Sequence, residues 1–405
     1  MSGARRFLFL QGPPGPFFAE LAGALALAGC AIQRINLNGG DQRDWPDRHG
    51  TAPALCYRGR RAKWALFIDR FMRDNETTDL VLFGDCRPMH MVAHQMARLR
   101  DVRVHVFEEG YVRPHWMALE RDGVNGRSRF VRDPAALPAA GATAPRLPEG
   151  LPPVTASAAR RRRDTLRYYW AVIAALPAYP FFRSHRPGSL AIEALAWLPK
   201  LAGARAAARA AMRTLGGLAP GSYFLFPLQL GSDYQIRVHS PFAGMEQAVD
   251  YVLASFAAHA PADAVLLIKE HPLDVSWRGW GLRIARRARR LGLAGRVVHV
   301  AGGDLELLAR ESRGVVVVNS TAATFALAEG IPVKTLGAAI YAVAGIVHPG
   351  PLDTFWSAPQ PPDPALYEAM LRALHAECLV RGGIASESAV RLLVENAAAR
   401  LLAEG

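Results

Sequence analysis

The stretch LVLFGDCRPMHMVAHQMARLRDVRVHVFEEG, residues 80–110, indicates how this chain folds. The apolar run Leu80–Phe83 has the length of a buried strand, Met89–Leu99 has the length and spacing of a helix, and Val102–Phe107 is a second strand. Strands that alternate with helices predict βαβ units, in which the strands are parallel and the crossovers right-handed.

The same alternation continues on both sides of this unit. Towards the N terminus it predicts elements at Phe7–Leu10, Phe17–Ala28, Cys30–Leu37 and Arg60–Arg73. From residue 222 it predicts strands at Tyr223–Phe226, Val265–Ile268, Val297–Val300, Val315–Val318 and Val333–Leu336, with helices between them. We therefore expect an α/β fold of two Rossmann-like, doubly wound lobes with a central cleft, where ligands bind beyond the carboxyl ends of the strands.

Composition divides the chain further. A Pro/Ala/Gly-rich linker runs through 133–153, and residues 151–220 carry ten Arg and one Lys against two carboxylates, a net charge of +9. Four regions are predicted: an N-terminal lobe at 1–150, a basic, aromatic, helical insert at 151–220, a C-terminal lobe at 221–360 and C-terminal helices at 361–405.

The 405 residues have a net charge of +13, which predicts an anionic partner: a nucleic acid, a membrane surface or a phosphorylated ligand. No recognised nucleic-acid-binding module is visible, so we expect no nucleic acid. The four cysteines lie far apart without CxxC spacing, which favours neither zinc nor disulfides and fits a reducing, cytoplasmic compartment.

Glu108 and Glu109 directly follow the strand Val102–Phe107. Adjacent carboxylates repel, which raises the pKa of one and suits proton transfer, and Gly110 allows a sharp turn. The alternative interpretation is a solvated acidic turn.

Lys269 and His271 follow the strand Val265–Ile268. Two residues apart on an extended chain, they point to the same side and can meet one phosphate. The alternative is a surface turn. His348-Pro349 repeats the His-Pro pair without directly following a clear buried strand, so we rank it lower.

Asn319, Ser320 and Thr321 lie between a predicted strand and a predicted helix at Ala322–Glu329. Ser or Thr is a common N-cap, and the same helix N-terminus can bind phosphate, so the two interpretations are compatible.

Asp233 lies in a Gly/Ser loop that follows Tyr223–Phe226 and also contains Gln229. It is either an Asx-turn residue or a carboxylate aimed into the cleft.

A carboxylate on one lobe and a Lys/His pair with a phosphate-binding helix on the other are typical of nucleotide-sugar glycosyltransferases of the GT-B type. The sequence has no evident DxD-like metal motif, so we expect neither a metal nor a cofactor.

Several strings make the chain resemble the capsule polysaccharide biosynthesis family, in particular its KpsS-type β-Kdo transferases. In the first lobe they are Gly84-Asp85-Cys86-Arg87-Pro88, Glu108-Glu109-Gly110-Tyr111-Val112-Arg113-Pro114, and Glu120 with Gly123-Val124-Asn125. In the second lobe they are Pro227 with Gln229 and Asp233, Lys269-Glu270-His271-Pro272, Asn319-Ser320-Thr321, and Gly350-Pro351-Leu352 with Phe355-Trp356.

The resemblance implies roles for these residues. Glu109 would serve in acid/base chemistry and Asp233 as the nucleophile of a retaining reaction, while His271 would act on the leaving phosphate. The donor, a CMP-sugar, would contact Lys269, His271, Asn319, Ser320, Thr321 and Gln229. The acceptor side would comprise Asp85, Arg87, Glu108, Arg113 and Asn125.

The family implies transfer of β-Kdo from CMP-Kdo to a phosphatidylglycerol-type lipid, which starts the poly-Kdo linker of a group 2 capsule. The expected partners are therefore this donor, an anionic glycerophospholipid acceptor, the inner-membrane surface and other capsule synthesis or export proteins.

The insert fits a lipid acceptor. The Arg160–Arg163 run can attract anionic headgroups, and the aromatic residues suit a membrane interface: Tyr168, Tyr169, Trp170, Phe181 and Phe182. We expect a cytoplasmic protein that is peripheral on the inner membrane. The alternatives are an ordinary basic helix packed on a lobe and, as a different class of function, a non-catalytic capsule export or assembly accessory that binds anionic lipid.

Overall fold

A computed structural model describes residues 5–46, 54–112, 115–146, 150–184, 190–230, 234–274 and 279–403. Its strands, numbered along the chain, are β1 (Arg6–Phe9), β2 (Ala31–Asn36), β3 (Leu55–Cys56), β4 (Asp79–Phe83), β5 (Arg103–Glu109), β6 (Trp116–Arg121), β7 (Tyr223–Pro227), β8 (Val265–Lys269), β9 (Val297–Val300), β10 (Gly314–Val317), β11 (Val333–Thr335) and β12 (Leu379–Arg381).

The α-helices are α1 (Phe17–Leu27), α2 (Gly39–Arg43), α3 (Trp64–Asp74), α4 (Pro88–Arg98), α5 (Leu137–Thr143), α6 (Ala158–Ala174), α7 (Leu190–Leu215), α8 (Tyr234–His239), α9 (Met245–His259), α10 (Trp280–Arg290), α11 (Leu305–Arg310), α12 (Ala323–Ala328), α13 (Leu352–Phe355), α14 (Pro364–Glu377) and α15 (Glu387–Ala403). Among the described residues, none of these helices is long and apolar enough to cross a membrane.

The chain forms two compact units. Unit 1 comprises residues 1–130, 145–185 and 374–405, and unit 2 comprises 131–144 and 186–373.

Unit 1 is built on a seven-stranded sheet with the order β12-β6-β5-β4-β1-β2-β3. The strands from β5 to β3 are parallel, whereas β6 and β12 extend the sheet in antiparallel fashion. Apolar side chains of β1, α1 and α15 form its core, because the sheet must bury the face that these helices cover. The carboxyl ends of β5, β4, β1 and β2 therefore lie side by side along one edge.

Helix α6 packs against α2 in unit 1, and two glycines allow the close approach. A Cβ built on Gly39 would lie 2.3 Å from the Ala175 Cβ, and one built on Gly40 would lie 2.6 Å from the ring of Tyr168. The Tyr168 hydroxyl accepts from Gln11 Nε2 (2.6 Å) and donates to Asp41 Oδ1 (2.8 Å). These buried hydrogen bonds fix α6 on the sheet.

Unit 2 has a five-stranded parallel sheet with the order β11-β10-β7-β8-β9. Aromatic side chains dominate its core, including Phe224, Phe256 and the fully buried Phe355 and Trp356. The Trp356 indole donates to Ser255 Oγ (2.8 Å). The Phe355-Trp356 string of the family pattern is therefore part of the core.

The predicted α/β class, with two Rossmann-like units that are each built on a largely parallel sheet, is confirmed. The antiparallel strands β6 and β12 and helix α8 were not predicted. The predicted regions 151–220 and 361–405 do not form units of their own. The first is divided between the units, because α6 packs on α2, and the second contributes β12 and α15 to unit 1.

Candidate active site

Glu108 and Glu109 end strand β5, where the sheet turns to β6. A Cβ on Gly110 would lie 2.0 Å from the carbonyl oxygen of Trp116, so only glycine fits at this position. The backbone N–H of Glu109 donates to Glu108 Oε1 (3.0 Å). The Glu108 carboxylate is thus held against the backbone at the carboxyl end of the strand, and the Glu109 carboxylate takes no part in this hydrogen bond.

The arginine run on α6 is partly paired with carboxylates. The guanidinium of Arg161 donates to Glu109 Oε1. Arg160 Nε donates to Asp164 Oδ2 (2.7 Å), and Arg163 lies 3.9 Å from Asp164 Oδ1. The contacts with Asp164 lie within α6, whereas the contact with Glu109 joins α6 to the end of β5 in the same unit.

The loop after β4 begins at Gly84, whose φ of +70° favours glycine. The Asp85 carboxylate is buried, and its Oδ1 accepts from the Cys86 thiol (3.1 Å) while Arg127 lies 3.6 Å from Oδ2. Arg87 donates to the carbonyl oxygens of Gln11 (3.2 Å) and Gly12 (3.3 Å). Arg87 therefore joins the ends of β4 and β1.

The backbone of Asn125 takes part in a buried hydrogen-bond network. Its backbone N–H donates to the Tyr111 hydroxyl (2.7 Å), which in turn donates to Glu120 Oε1. Ser128 Oγ donates to the second oxygen of Glu120. Burial raises the pKa of Glu120, although these hydrogen bonds favour its charged form. The network holds the chain after β6 in place.

In unit 2, three neighbouring strand ends carry candidate donor-binding residues. Gln229 follows β7, Lys269 ends β8 and Asn319 follows β10, and these strands are adjacent in the sheet. Gln229 Nε2 donates to Asn319 Oδ1 (3.0 Å), while Asn319 N–H donates to Gln229 Oε1 (3.1 Å). The reciprocal pair locks the loops after β7 and β10 together.

Lys269 is a cation in a desolvated position, 8% exposed. Burial lowers the pKa of its ammonium group, while Asp304 and Glu270 act in the opposite sense. For Glu270, burial would raise the pKa, but His299 and Lys200 outweigh it and the pKa is lowered. Lys200 donates to Glu270 Oε1 (3.2 Å), so that carboxylate already has cationic partners.

His271 differs from the extended geometry that was expected. Strand β8 ends at Lys269, and the N–H of Asp274 donates to the His271 carbonyl (3.0 Å), so His271 starts a turn. Its Nδ1 accepts from Leu273 N–H (3.1 Å), which assigns the ring proton to Nε2. His271 is half-buried, whereas Lys269 is buried.

Ser320 and Thr321 precede α12, which begins at Ala323, one residue later than predicted. Ser320 Oγ accepts from Ala322 N–H (3.2 Å) in the turn before the helix, whose N-cap is Ala322 and has no side-chain cap, so the predicted Ser or Thr cap is not observed. The Thr321 carbonyl accepts from Thr324 Oγ1 (2.8 Å). Asp233 and Arg113, the remaining site predictions, lie outside the described residues.

The second His-Pro histidine is buried in the unit 2 framework. His348 is 3% exposed, and its Nε2 contacts Thr354 Oγ1 (3.0 Å). Burial lowers its pKa, and nearby Lys334 adds to the effect. A histidine that is held neutral in the interior contributes to packing. This agrees with the sequence analysis, which ranks His348 below His271 as a candidate site residue.

Residues 78–384, about three quarters of the chain, match the family described as "Capsule polysaccharide biosynthesis protein". The chain belongs to this family. It is 32% identical over 378 residues to the capsule polysaccharide modification protein LipB of Neisseria meningitidis serogroup A, covering 91% of this chain and 89% of LipB.

Two further proteins are similar to this chain. The chain is 31% identical over 371 residues to the capsule polysaccharide export protein KpsS of Escherichia coli, covering 90% of this chain and 92% of KpsS. Among solved structures, the β-Kdo 2,7 transferase KpsC of Thermosulfurimonas dismutans aligns with a TM-score of 0.45 and 12% identity, covering 99% of both chains.

Proposed function

We propose that this protein is a glycosyltransferase that moves β-Kdo from CMP-Kdo to a phosphatidylglycerol-type lipid and so starts the poly-Kdo linker of a capsular polysaccharide. The observation that carries the proposal is the group of donor candidates on the adjacent ends of β7, β8 and β10. It combines the buried cation of Lys269 with the locked amide pair of Gln229 and Asn319. The 31–32% identity to LipB and KpsS, which are named for capsule polysaccharide modification and export, supports a role in capsule formation.

Unit 2 would hold the donor. Lys269 is desolvated, so its attraction for a phosphate is stronger than that of an exposed lysine. His271, with its proton on Nε2, would bind the CMP phosphate and protonate it as it leaves. Ser320 and Thr321 would add hydroxyl contacts. In this proposal the protein's own cations neutralise the leaving group, and no metal is required.

Unit 1 would supply the acid/base group. Glu109 would handle the proton of the acceptor hydroxyl, and Arg161 would orient its carboxylate. Asp233 would be the nucleophile, so that two displacements retain the anomeric configuration.

Peripheral membrane contact would use the outer face of α6. Leu166 is 63% exposed and Trp170 is 73% exposed, with Ile173 one turn further along. The buried face of the same helix carries Asp164, Tyr168 and Val172 instead. The exposed Arg162 and Arg167 flank the apolar face and suit an anionic inner-membrane surface.

The test is to incubate the purified chain with CMP-Kdo and a fluorescent phosphatidylglycerol in the presence of EDTA, and to measure product mass. We expect a lipid heavier by one Kdo, and its formation should be lost in Lys269→Gln. Lipid binding without CMP release by the wild-type chain would instead support the non-catalytic accessory.

A further inference from the structure

Unit 1 contains a pocket that is open to solvent and has a cavity volume of about 40 Å³. Its floor is formed by Gln11 and Leu37, which follow β1 and β2, and by Arg87 at the end of β4. Its walls come from the chain around residues 57–61 and from residues 179–183, beyond α6.

Four arginines line this pocket: Arg58, Arg61, Arg87 and Arg183. Within the described part of the chain, none of them forms an ion pair with a carboxylate. Their hydrogen bonds go to backbone carbonyls, as from Arg61 to Arg183 (3.0 Å) and from Arg87 to Gln11 (3.2 Å). Several other arginines of the same unit are paired with carboxylates, for example Arg100 with Asp69.

Four like charges around one pocket repel each other, and a bound anion relieves this repulsion. Guanidinium groups match the oxygens of a phosphate in geometry as well as in charge. The charge pattern therefore indicates a phosphate ester as ligand.

The remaining wall is apolar and aromatic. Tyr57, Tyr179, Phe181 and Met89 line the same pocket, and Phe181 is 41% exposed at its rim. Residues 176–183 follow α6 directly along the chain. Ile173 is the last exposed large apolar residue of α6, and Leu176 just beyond the helix is exposed as well. A phosphate group alone gains no favourable contact from an apolar wall, whereas the alkyl chain of a phosphate ester would pack against it.

We infer that this pocket binds the phosphate of the acceptor, with the arginines on the headgroup and the acyl chain passing over Phe181 towards the outer face of α6. The identification of this ligand as the acceptor rests on the proposed function. The site itself, a pocket for an amphipathic phosphate ester, is defined by unit 1 alone.

The experiment measures binding without donor, by calorimetry, for a short-chain lysophosphatidylglycerol, glycerol 3-phosphate, inorganic phosphate and CMP. The double variant Arg58→Gln/Arg61→Gln should lose at least tenfold in affinity for the lysolipid. Arg70→Gln, which changes an exposed arginine of α3 in the same unit, is the matched control and should bind as the wild type does. Phe181→Ser should weaken lysolipid binding and leave glycerol 3-phosphate binding unchanged.

Equal lysolipid affinity of the double variant and the wild type, at unchanged melting temperature, would overturn the inference. A loss of CMP affinity as large as the loss for the lysolipid would also overturn it, because the pocket would then be a nucleotide site. If Phe181→Ser has no effect on the lysolipid and glycerol 3-phosphate binds equally well, the ligand is a soluble phosphate ester and the lipid assignment is wrong. The binding measurement requires no turnover. Its result therefore stands independently of whether the chain transfers Kdo.

Discussion

Arg161 on α6 donates a charged hydrogen bond to the carboxylate of Glu109 at the end of β5. The two residues are 52 positions apart and both belong to unit 1. The contact connects the basic helix to the carboxylate that we assign to acid/base chemistry. Part of the arginine run therefore contacts the candidate site.

Replacing Arg161 with Gln should lower kcat by five- to tenfold and change KM for CMP-Kdo little, because Arg161 positions Glu109 and is not assigned to the donor. The side chain of Arg161 is half-exposed, so we discount the pair to about 1 kcal/mol. Arg70→Gln is the control, since Arg70 is exposed on α3 and is assigned neither to the candidate site nor to the proposed membrane-binding face. Equal losses in both variants would contradict the positioning role.

Gly39→Ala should destabilise unit 1 by about 1–3 kcal/mol, because the new Cβ meets α6 at 2.3 Å. Gly23→Ala is the matched control in α1, where a Cβ meets nothing within 4 Å; it should stabilise by about 0.5–1 kcal/mol through helix propensity. Urea unfolding measures both. Similar midpoints for the two variants would mean that α6 does not pack closely on α2.

Acid should destabilise the fold through His375. Its ring stacks near Trp116, with 4.3 Å between centroids, and burial lowers its pKa to about 4. Above pH 6.5 the histidine is neutral in both the folded and the unfolded state. Between pH 6.5 and 4 only the unfolded state gains the proton, so about 3 kcal/mol of stability is lost over this window. In His375→Phe the free energy of unfolding should fall less over the same window, and parallel curves would refute the assignment.

The two His-Pro histidines should separate activity from stability. His271→Ala should reduce turnover by about 100-fold or more, because a general acid contributes that much, while the melting temperature stays near that of the wild type. His348→Ala should lower the melting temperature instead, because it removes a buried ring and its contact with Thr354. Activity of the folded fraction should then be nearly normal. The reverse ranking would mean that the wrong histidine has been chosen.

Local patterns predict most of the parallel elements, because an isolated apolar run followed by a loop has few other structures available. The bounds predicted for β9 are those observed. Strand β12 has only three residues and pairs with β6, more than 250 residues earlier, so its local sequence carries no comparable signal. Strand β6 is antiparallel and follows a turn that depends on Gly110.

The candidate site also contains residues whose placement local patterns predict and residues that only the fold brings together. Strand order places Gln229 and Asn319 on neighbouring strand ends, as expected for a doubly wound sheet. The pairing of Arg161 with Glu109 depends instead on how α6 packs on α2, which no local spacing encodes. The arginine pocket was missed for the same reason, because its members come from separate stretches of the chain that only the fold brings together.

The last prediction separates the two carboxylates assigned to catalysis. In a double displacement, an Asp233 oxygen attacks the anomeric carbon and CMP leaves with the bonding electron pair. The acceptor hydroxyl then displaces Asp233 while Glu109 takes its proton. Glu109→Gln should slow the second step, so that a Kdo adduct accumulates on the protein. Asp233→Asn should abolish both the adduct and turnover while CMP-Kdo still binds.

Intact-protein mass spectrometry after mixing with CMP-Kdo measures the adduct, and NMR of the product gives its anomeric configuration. Glu108→Gln is the control for a neighbouring carboxylate at the same strand end, and it should not accumulate the adduct. Full activity in Asp233→Asn would remove Asp233 as the nucleophile. A product with inverted configuration would instead indicate a single displacement, because only two successive inversions return the sugar to its starting configuration and only they require a second carboxylate.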